Sequence, residues 1–290
     1  MMEYSVRHRT AYRYLHEVSY SCHVAHLTPR ETLSQKVDRS RTAISIPPAR
    51  RQQRADYFGN TIEWFAIDQP HVILEIVSES RIRVETGDTV AAGGEPWTNV
   101  KALLETAEDQ ATRDASQYLF DSPLVGSNAA ITAYAEKSFP SARPIADGTR
   151  DLMNRIHKDF RYDNTVTDAA TPVARVFDVR AGVCQDLAHA GVACLRALGL
   201  AGRYVSGYLA TKPPAGQPRL IGADASHAWF SVWTAEGWLD FDPTNNMCPG
   251  EGHITLAWGR DYTDVAPING IVTGGGPHMV EVGVDVVAAS

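Results

Sequence analysis

The sequence has few cysteines and no long apolar run, and both shortages exclude classes of protein. Its four cysteines form no C-x-x-C pair, and their spacing suits neither a zinc site nor a disulfide framework. No stretch approaches the roughly 20 apolar residues that a membrane span requires. The N-terminus alternates like a strand and lacks the apolar segment of a signal peptide. We therefore expect a cytoplasmic protein with reduced thiols and no membrane partner.

The sequence also lacks an excess of basic charge. It carries 34 acidic against 27 basic side chains, a net charge of -7, and this balance argues against a nucleic-acid partner. The one basic cluster, Arg50, Arg51 and Arg54, is short, and we interpret it as a solvated loop. A hydrophobic content of 44% is typical of a globular protein with a full core. The sequence leaves the oligomeric state open.

The periodicity of the chain changes once along its length. Residues 1 to about 85 alternate between apolar and polar side chains and contain turn residues, which predicts short strands in a β-sandwich-like domain over 1–90. A segment rich in glycine and small residues follows as a linker. From residue 97 the spacing becomes helical, and from Arg203 it alternates again. Helices followed by strands predict an α+β core over 97–290.

One stretch between residues 180 and 199 predicts a helix that starts at a cysteine: RAGVCQDLAHAGVACLRALG. Backbone N–H groups without partners and the positive end of the helix dipole would face the Cys184 sulfur there. Those conditions favour a thiolate, the reactive form of cysteine. The alternative is that Cys184 only fills a small pocket. Cys194 falls on the apolar stripe of the same helix, so we interpret it as a buried core residue.

A thiolate nucleophile needs a base and an acceptor that orients the base, and a predicted hairpin offers both. With an even loop at 234–237, Trp229 faces Asp242, and His227 lies on the same face, diagonal to that carboxylate. Asp240 lies one step farther from His227 and is the weaker candidate. An odd loop would place Asp242 on the opposite face. The even register is therefore a prediction that a structure can reject.

Other titratable side chains are given structural roles. His189 follows Cys184 by five residues, a spacing that rotates it away from the sulfur, so we expect local packing. The N-terminal histidines show no metal-ligand pattern, and we expect neither a metal nor a cofactor: His8, His16, His23 and His26. A cluster near residue 260 either lines a cleft or forms an Arg–Asp pair that fixes a loop: Arg260, Asp261, Tyr262 and Asp264.

Several segments together resemble the transglutaminase-like superfamily, whose core is papain-like. The core motifs are GVCQDLAH, LRALGLAGRYVSGYL, HAW and GWLDFDPTN. The N-terminal RHRTAYRY, LTPRE and DYFGN, and the closing GRDYTDVAPINGIVTGGG, resemble the bacterial branch with an extra N-terminal β domain. The resemblance implies a nucleophile at Cys184, a base at His227 and an orienting carboxylate at Asp242.

The resemblance also implies a reaction: cysteine-dependent acyl transfer on a peptide, amide or protein substrate. Hydrolysis by a peptidase or amidase is our first choice, and transfer to an amine, including protein crosslinking, is the alternative. A non-catalytic binding module that uses the β domain for docking is a second alternative. No acidic cluster resembles the calcium sites of animal transglutaminases, so we expect no calcium dependence. The Cys184 N–H would stabilise the oxyanion, with Gln185 or Tyr162 as second donor.

Overall fold

The structure is a computed structural model, and it describes residues 1–85, 93–210 and 226–289. Alternating burial along β1 shows why this segment forms a strand: apolar and small side chains such as Tyr4 and Val6 face inward, and polar side chains lie between them. Residues 1–85 contain five strands: β1 (Met2–Ala25), β2 (Gln35–Ile44), β3 (Arg50–Ala55), β4 (Thr61–Ile67) and β5 (His71–Val84).

The long strand β1 is shared by two antiparallel layers. Its first half pairs with β5 and with β13 (His278–Ala288), and its second half pairs with β4 and with β12 (Ile268–Gly274). The strands β2 and β3 extend these layers beside β5 and β4. Side chains from both layers form one apolar cluster, in agreement with the predicted sandwich-like region: Phe65 and Ile67 of β4, Leu74 and Ile76 of β5.

Two features of this sheet differ from the expectations. The strands β12 and β13 complete the N-terminal sheet, although the periodicity of the chain predicted a core over all of 97–290. Alternation predicts a strand but does not reveal which sheet it joins, because pairing partners are set by distant residues. The basic cluster of Arg50, Arg51 and Arg54 is exposed as expected, but it lies on the edge strand β3 and not in a loop.

The core begins with helices after residue 96. The central helix α6 is buried along most of its length and packs on two core strands. Gly191 permits this close approach, since a Cβ there would lie 2.4 Å from the Phe230 ring. The helices are α1 (Trp97–Thr106), α2 (Gln110–Ser116), α3 (Ala129–Glu136), α4 (Ile145–Asp159), α5 (Val173–Val179), α6 (Cys184–Ala197) and α7 (Tyr262–Val265).

The core sheet is antiparallel, with the strand order β10-β9-β8-β11. Two short strands, β6 (Arg161–Tyr162) and β7 (Ala181–Gly182), pair in parallel just before α6. Helices followed by an antiparallel sheet confirm the predicted α+β core. The four core strands are β8 (Gly202–Leu209), β9 (Ser226–Thr234), β10 (Gly237–Phe241) and β11 (His253–Gly259).

The N-terminal sheet packs directly against the core sheet. Tyr208 lies in an apolar cluster with side chains of β1, β5, β11 and β13, and its hydroxyl is 3.0 Å from His8 Nδ1. The Asn60 amide bonds both the carbonyl and the N–H of Trp258. These contacts fix the N-terminal loops beside the core strands. Among the described residues, no helix is both long and apolar enough to cross a bilayer.

Candidate active site

Cys184 is the first residue of α6, and the turn before it is held by a carboxylate. Asp186 Oδ2 accepts hydrogen bonds from the Val183 N–H at 2.8 Å and from Thr167 Oγ1 at 2.6 Å. Gly182 is required beside it, since a Cβ there would lie 2.4 Å from the same carboxylate oxygen. Cys184 is half-buried, and its N–H donates no hydrogen bond within the described ranges. The helix start therefore leaves one donor free next to the thiol.

The hairpin of β9 and β10 has the predicted even register. Trp233 pairs with Trp238, and Ser231 pairs with Asp240. Gly237 adopts φ 128° and pairs with Thr234, so the loop is tighter than the expected four residues, but the faces are unchanged. The register prediction is confirmed.

This register brings His227 and Asp242 together. His227 Nε2 lies 2.7 Å from Asp242 Oδ2, and the Cys184 side chain is near enough to the same imidazole to raise its pKa. Because Nε2 is engaged by the carboxylate, Nδ1 is the ring nitrogen that remains for the thiol. The thiol, the imidazole and the carboxylate that the sequence singled out thus lie next to one another.

The charge of this site is concentrated on the pair His227 and Asp242. Burial alone would lower the pKa of His227, but hydrogen bonds and charge from Asp242 and Cys184 raise it to about 9. Burial alone would raise the pKa of the Asp242 carboxyl, yet its hydrogen bonds hold that pKa well below its usual range. The geometry therefore favours an imidazolium beside a carboxylate at neutral pH.

Asp242 is fully buried, and both of its oxygens are saturated. Oδ2 accepts from His227, from Asn245 Nδ2 at 2.7 Å and from His253 Nε2 at 3.0 Å. Oδ1 accepts from the backbone N–H groups of Thr244 and Asn245 at 2.9 and 3.1 Å. His157 Nδ1 donates to the carbonyls of this same turn. A carboxylate with so many donors stays ionised and has one orientation.

His253 is a site residue that the sequence analysis missed. It is buried, and its Nδ1 accepts the Gly250 N–H at 3.3 Å. We assign the ring proton from this network: Nε2 carries it and donates to Asp242. The indole of Trp229 packs edge-on against the His253 ring at 5.3 Å. No local motif marks His253, since its place depends on the pairing of β11 with β8.

The remaining candidates have structural partners. His189 is buried, accepts the Tyr262 N–H at 3.1 Å and has its pKa lowered to about 4 by burial, which confirms local packing. Cys194 is fully buried, as expected of a core residue. Arg260 and Asp264 form an ion pair at 2.9 Å, so the loop-fixing alternative is the one observed.

The histidines of the N-terminal sheet lie apart from the site in individual contacts, such as His26 Nδ1 with the Ala266 carbonyl. In the described part of the chain, the residues that could hold a metal ion together are His227, Asp242 and His253. Their ligand atoms already bond one another, so an ion there would have to replace those hydrogen bonds.

The second oxyanion donor stays open between the two candidates. Gln185 is buried, and its Nε2 donates to the Ala169 carbonyl at 3.1 Å. Tyr162 is 58% exposed, and burial and the nearby Cys184 raise the pKa of its hydroxyl. Both side chains therefore lie near the helix start, one already bonded and one open to solvent.

Two family models match the chain. Residues 4–83 match the bacterial transglutaminase-like N-terminal region, and residues 132–243 match the transglutaminase-like superfamily. The second match contains the helix start at Cys184 and the hairpin with His227 and Asp242. The two matches correspond to strands β1–β5 and to most of the core.

Relatives and solved structures extend the likeness over the full length. An uncharacterized protein of Mycobacterium tuberculosis is 40% identical over 294 residues, which cover 98% of this chain and 92% of the relative. One from Mycobacterium leprae is 30% identical over 99% of each chain. A crystal structure from Cytophaga hutchinsonii, described as a candidate cysteine protease, has a TM-score of 0.79 at 18% identity, covering 100% of this chain and 91% of that one. At that identity the likeness shows the fold.

Proposed function

This chain belongs to the transglutaminase-like superfamily, in its bacterial branch, and we propose that it is a cysteine-dependent hydrolase of amide bonds. One observation carries the proposal: a single imidazole is hydrogen-bonded to a buried carboxylate and lies beside the thiol at a helix start. This arrangement activates a nucleophile and supplies a proton to a leaving group. The proposed substrate is a peptide or another amide, including a protein, and the proposed location is the cytoplasm.

In the acylation step the Cys184 thiolate attacks the carbonyl carbon of the substrate amide. A C–S bond forms while the carbonyl π electrons move to oxygen, where the Cys184 N–H donates to the developing charge. As the oxyanion collapses, the C–N bond breaks, and His227 gives its proton to the leaving amine. The products of this half-reaction are a thioester on Cys184 and a free amine.

Deacylation returns the site to its starting state. A water molecule loses a proton to His227 as its oxygen attacks the thioester carbonyl. The C–S bond then breaks, the carboxylic acid leaves, and the thiolate and the imidazolium are restored. Asp242 holds the imidazole in one orientation and stabilises its charged form through both half-reactions. His253 and Asn245 act as positioning residues, because they orient the Asp242 carboxylate without contacting Cys184.

Transfer to an amine remains the alternative fate of the thioester, since an amine can replace water in deacylation. Hydrolysis is preferred because bulk crosslinking has no evident use for a protein placed in the cytoplasm. A library of fluorogenic peptide amides, assayed with and without a primary amine, distinguishes the two reactions. Free acid as the main product supports hydrolysis, whereas an amide formed with the added amine assigns transferase activity.

The nucleophile is tested with iodoacetamide at mildly acidic pH and with the variant Cys184→Ala. Selective alkylation of Cys184 and loss of turnover by about three orders of magnitude or more are expected. Cys22→Ala is the matched control, because that thiol lies on β1 in the N-terminal sheet. Full turnover by Cys184→Ala would overturn the proposal. Equally slow alkylation of all four thiols would support the binding-module alternative instead.

A further inference from the structure

A charged cavity lies on the core sheet, apart from the Cys184 site, and the proposed reaction does not use it. It measures about 820 Å³ and is lined by strands β8–β11, α2 and two N-terminal loops. This volume is within the range of small-molecule sites in proteins. Aromatic side chains supply much of its wall: Tyr57, Phe58, Tyr118, Trp233, Trp238 and Trp258.

Arg203 provides the main charge of this cavity, and it is only 7% exposed. Its Cζ lies 4.2 Å from the Trp238 ring centroid and 3.8 Å from that of Trp258. Both indoles lie within cation–π distance of the guanidinium, so we expect an anion to approach along its N–H edge. We call this arrangement of Arg203, Trp238 and Trp258 the guanidinium slot.

One edge of the guanidinium is already occupied. Nε donates to Ser231 Oγ at 3.3 Å, and Ser231 Oγ in turn donates to Asp240 Oδ1. Within the described residues, the two terminal nitrogens of Arg203 have no hydrogen-bond partner and form no ion pair. Arg203 lines the cavity, and neither of its terminal nitrogens is a fully buried atom without a partner. The edge that remains therefore carries parallel N–H donors, the fork that binds a carboxylate in a bidentate manner.

Carboxylates lie near the slot, but among the described residues none forms a direct ion pair with Arg203. Arg30 stacks on Trp258 at 3.7 Å, so two guanidiniums share the neighbourhood of one indole. Burial lowers the pKa of Arg203 to about 10, with Arg30 acting in the same direction and Asp240 opposing it. Asp240 acts through Ser231 without a direct ion pair, and Asp114 lies at the cavity rim. A buried cation with free donors is costly unless an anion completes it.

We propose that the guanidinium slot binds a carboxylate carried on an apolar body. The planar fork between two indoles matches a flat carboxylate, and the aromatic walls match an apolar remainder. The slot and the His227 site lie on one face of β9, since Ser231 and His227 have the same parity. The carboxylate comes from a free organic acid or from the C-terminus of a peptide.

Binding is measured with the Cys184→Ala protein, so the result does not depend on the proposed chemistry. The probes are 3-phenylpropanoate, its amide, phenyl phosphate, and a short peptide ending in phenylalanine with a free or an amidated C-terminus. Intrinsic tryptophan fluorescence reports binding, because Trp238 and Trp258 flank the site, and calorimetry gives the affinity. We expect the carboxylates to bind and both amides to bind at least about tenfold more weakly.

Substitution of the fork tests the same assignment. Arg203→Lys keeps the charge but loses the planar fork, and at least about tenfold weaker binding is expected. Arg13→Lys, an exposed arginine of the N-terminal sheet, is the matched control. If Arg203→Lys fails to fold, Arg30→Lys and the acid–amide comparison decide. Binding by the free acid but not by the peptide, or the reverse, identifies the source of the carboxylate.

Three results would overturn the assignment. Equal binding of acid and amide would show that the fork is not used. Unchanged affinity in Arg203→Lys would place the ligand elsewhere. Binding of phenyl phosphate alone, or of no probe up to millimolar concentration, would show that this cavity does not select a carboxylate.

Discussion

Two buried charges on one face of the core sheet are treated in opposite ways. Asp242 accepts hydrogen bonds from three side chains and two backbone groups, so the protein satisfies it completely. The Arg203 side chain, which bonds Ser231 of strand β9, has one hydrogen bond among the described residues. The hydrogen-bonding capacity of Asp242 is therefore used by groups of the protein itself. The Arg203 side chain keeps N–H donors that no group among the described residues accepts from, so a bound ligand could use them.

Asp242→Asn should produce the largest effect of any change that tests this contrast. The amide cannot stabilise the imidazolium and would disturb the His227 tautomer, so kcat should fall by about three to four orders of magnitude. Steady-state kinetics on a fluorogenic amide measure the loss, with circular dichroism to verify folding. An activity within tenfold of the parent would show that the carboxylate does not orient the base.

The variants His253→Gln and His253→Phe test one of the hydrogen-bond donors to Asp242. Glutamine can place an N–H near the position of Nε2, whereas phenylalanine leaves the carboxylate short of a partner. We expect His253→Phe to lower kcat by about a hundredfold, and His253→Gln to retain most of the activity. A merely structural role would lower both variants equally and leave the pH profile unchanged, while loss of positioning shifts it.

The pH profile of kcat/KM measures the charge that Asp242 imposes on His227. The proton donor must be protonated, and its pKa is raised to about 9, so activity should decline as the pH rises through about 9. In Asp242→Asn the carboxylate no longer raises that pKa, and the alkaline limb should move to lower pH. An alkaline limb that stays at the same pH in Asp242→Asn would contradict this assignment.

Arg203→Met is expected to have the smallest effect, measured as stability. A buried cation without a direct carboxylate partner contributes little, so an apolar side chain of similar length should change the unfolding free energy by less than about 1 kcal/mol. Asp242→Ala strands several donors and should cost about 3 kcal/mol. Urea denaturation of both variants tests the order. A larger loss in Arg203→Met would indicate that Arg203 is structural.

Local patterns were sufficient to predict the triad residues and their register. The helix start at Cys184 follows from the apolar spacing after it, and the faces of His227 and Asp242 follow from counting across a short hairpin. Both arguments need only neighbouring residues, because a turn fixes the parity of the strands that it joins. The catalytic roles themselves remain predictions.

Features assembled from distant segments could not be predicted. His253 reaches Asp242 only because β11 pairs with β8, a pairing that alternation in the sequence does not encode. The guanidinium slot requires β8, β10 and β11 to meet, with Arg30 added from an N-terminal loop. The pairing of β12 and β13 with β1 was not predicted, for the same reason.

The pairing of β1 with β13 sets an order of events in synthesis. Tyr4 is opposite Ala288, so β1 can form this pairing only after β13, which is synthesised near the end of the sequence. Until then, a nascent chain exposes one open strand edge, a surface on which other extended chains can add. Strand β13 therefore closes the open edge of β1. A chain whose synthesis stops before β13 is made would keep that edge of β1 unpaired.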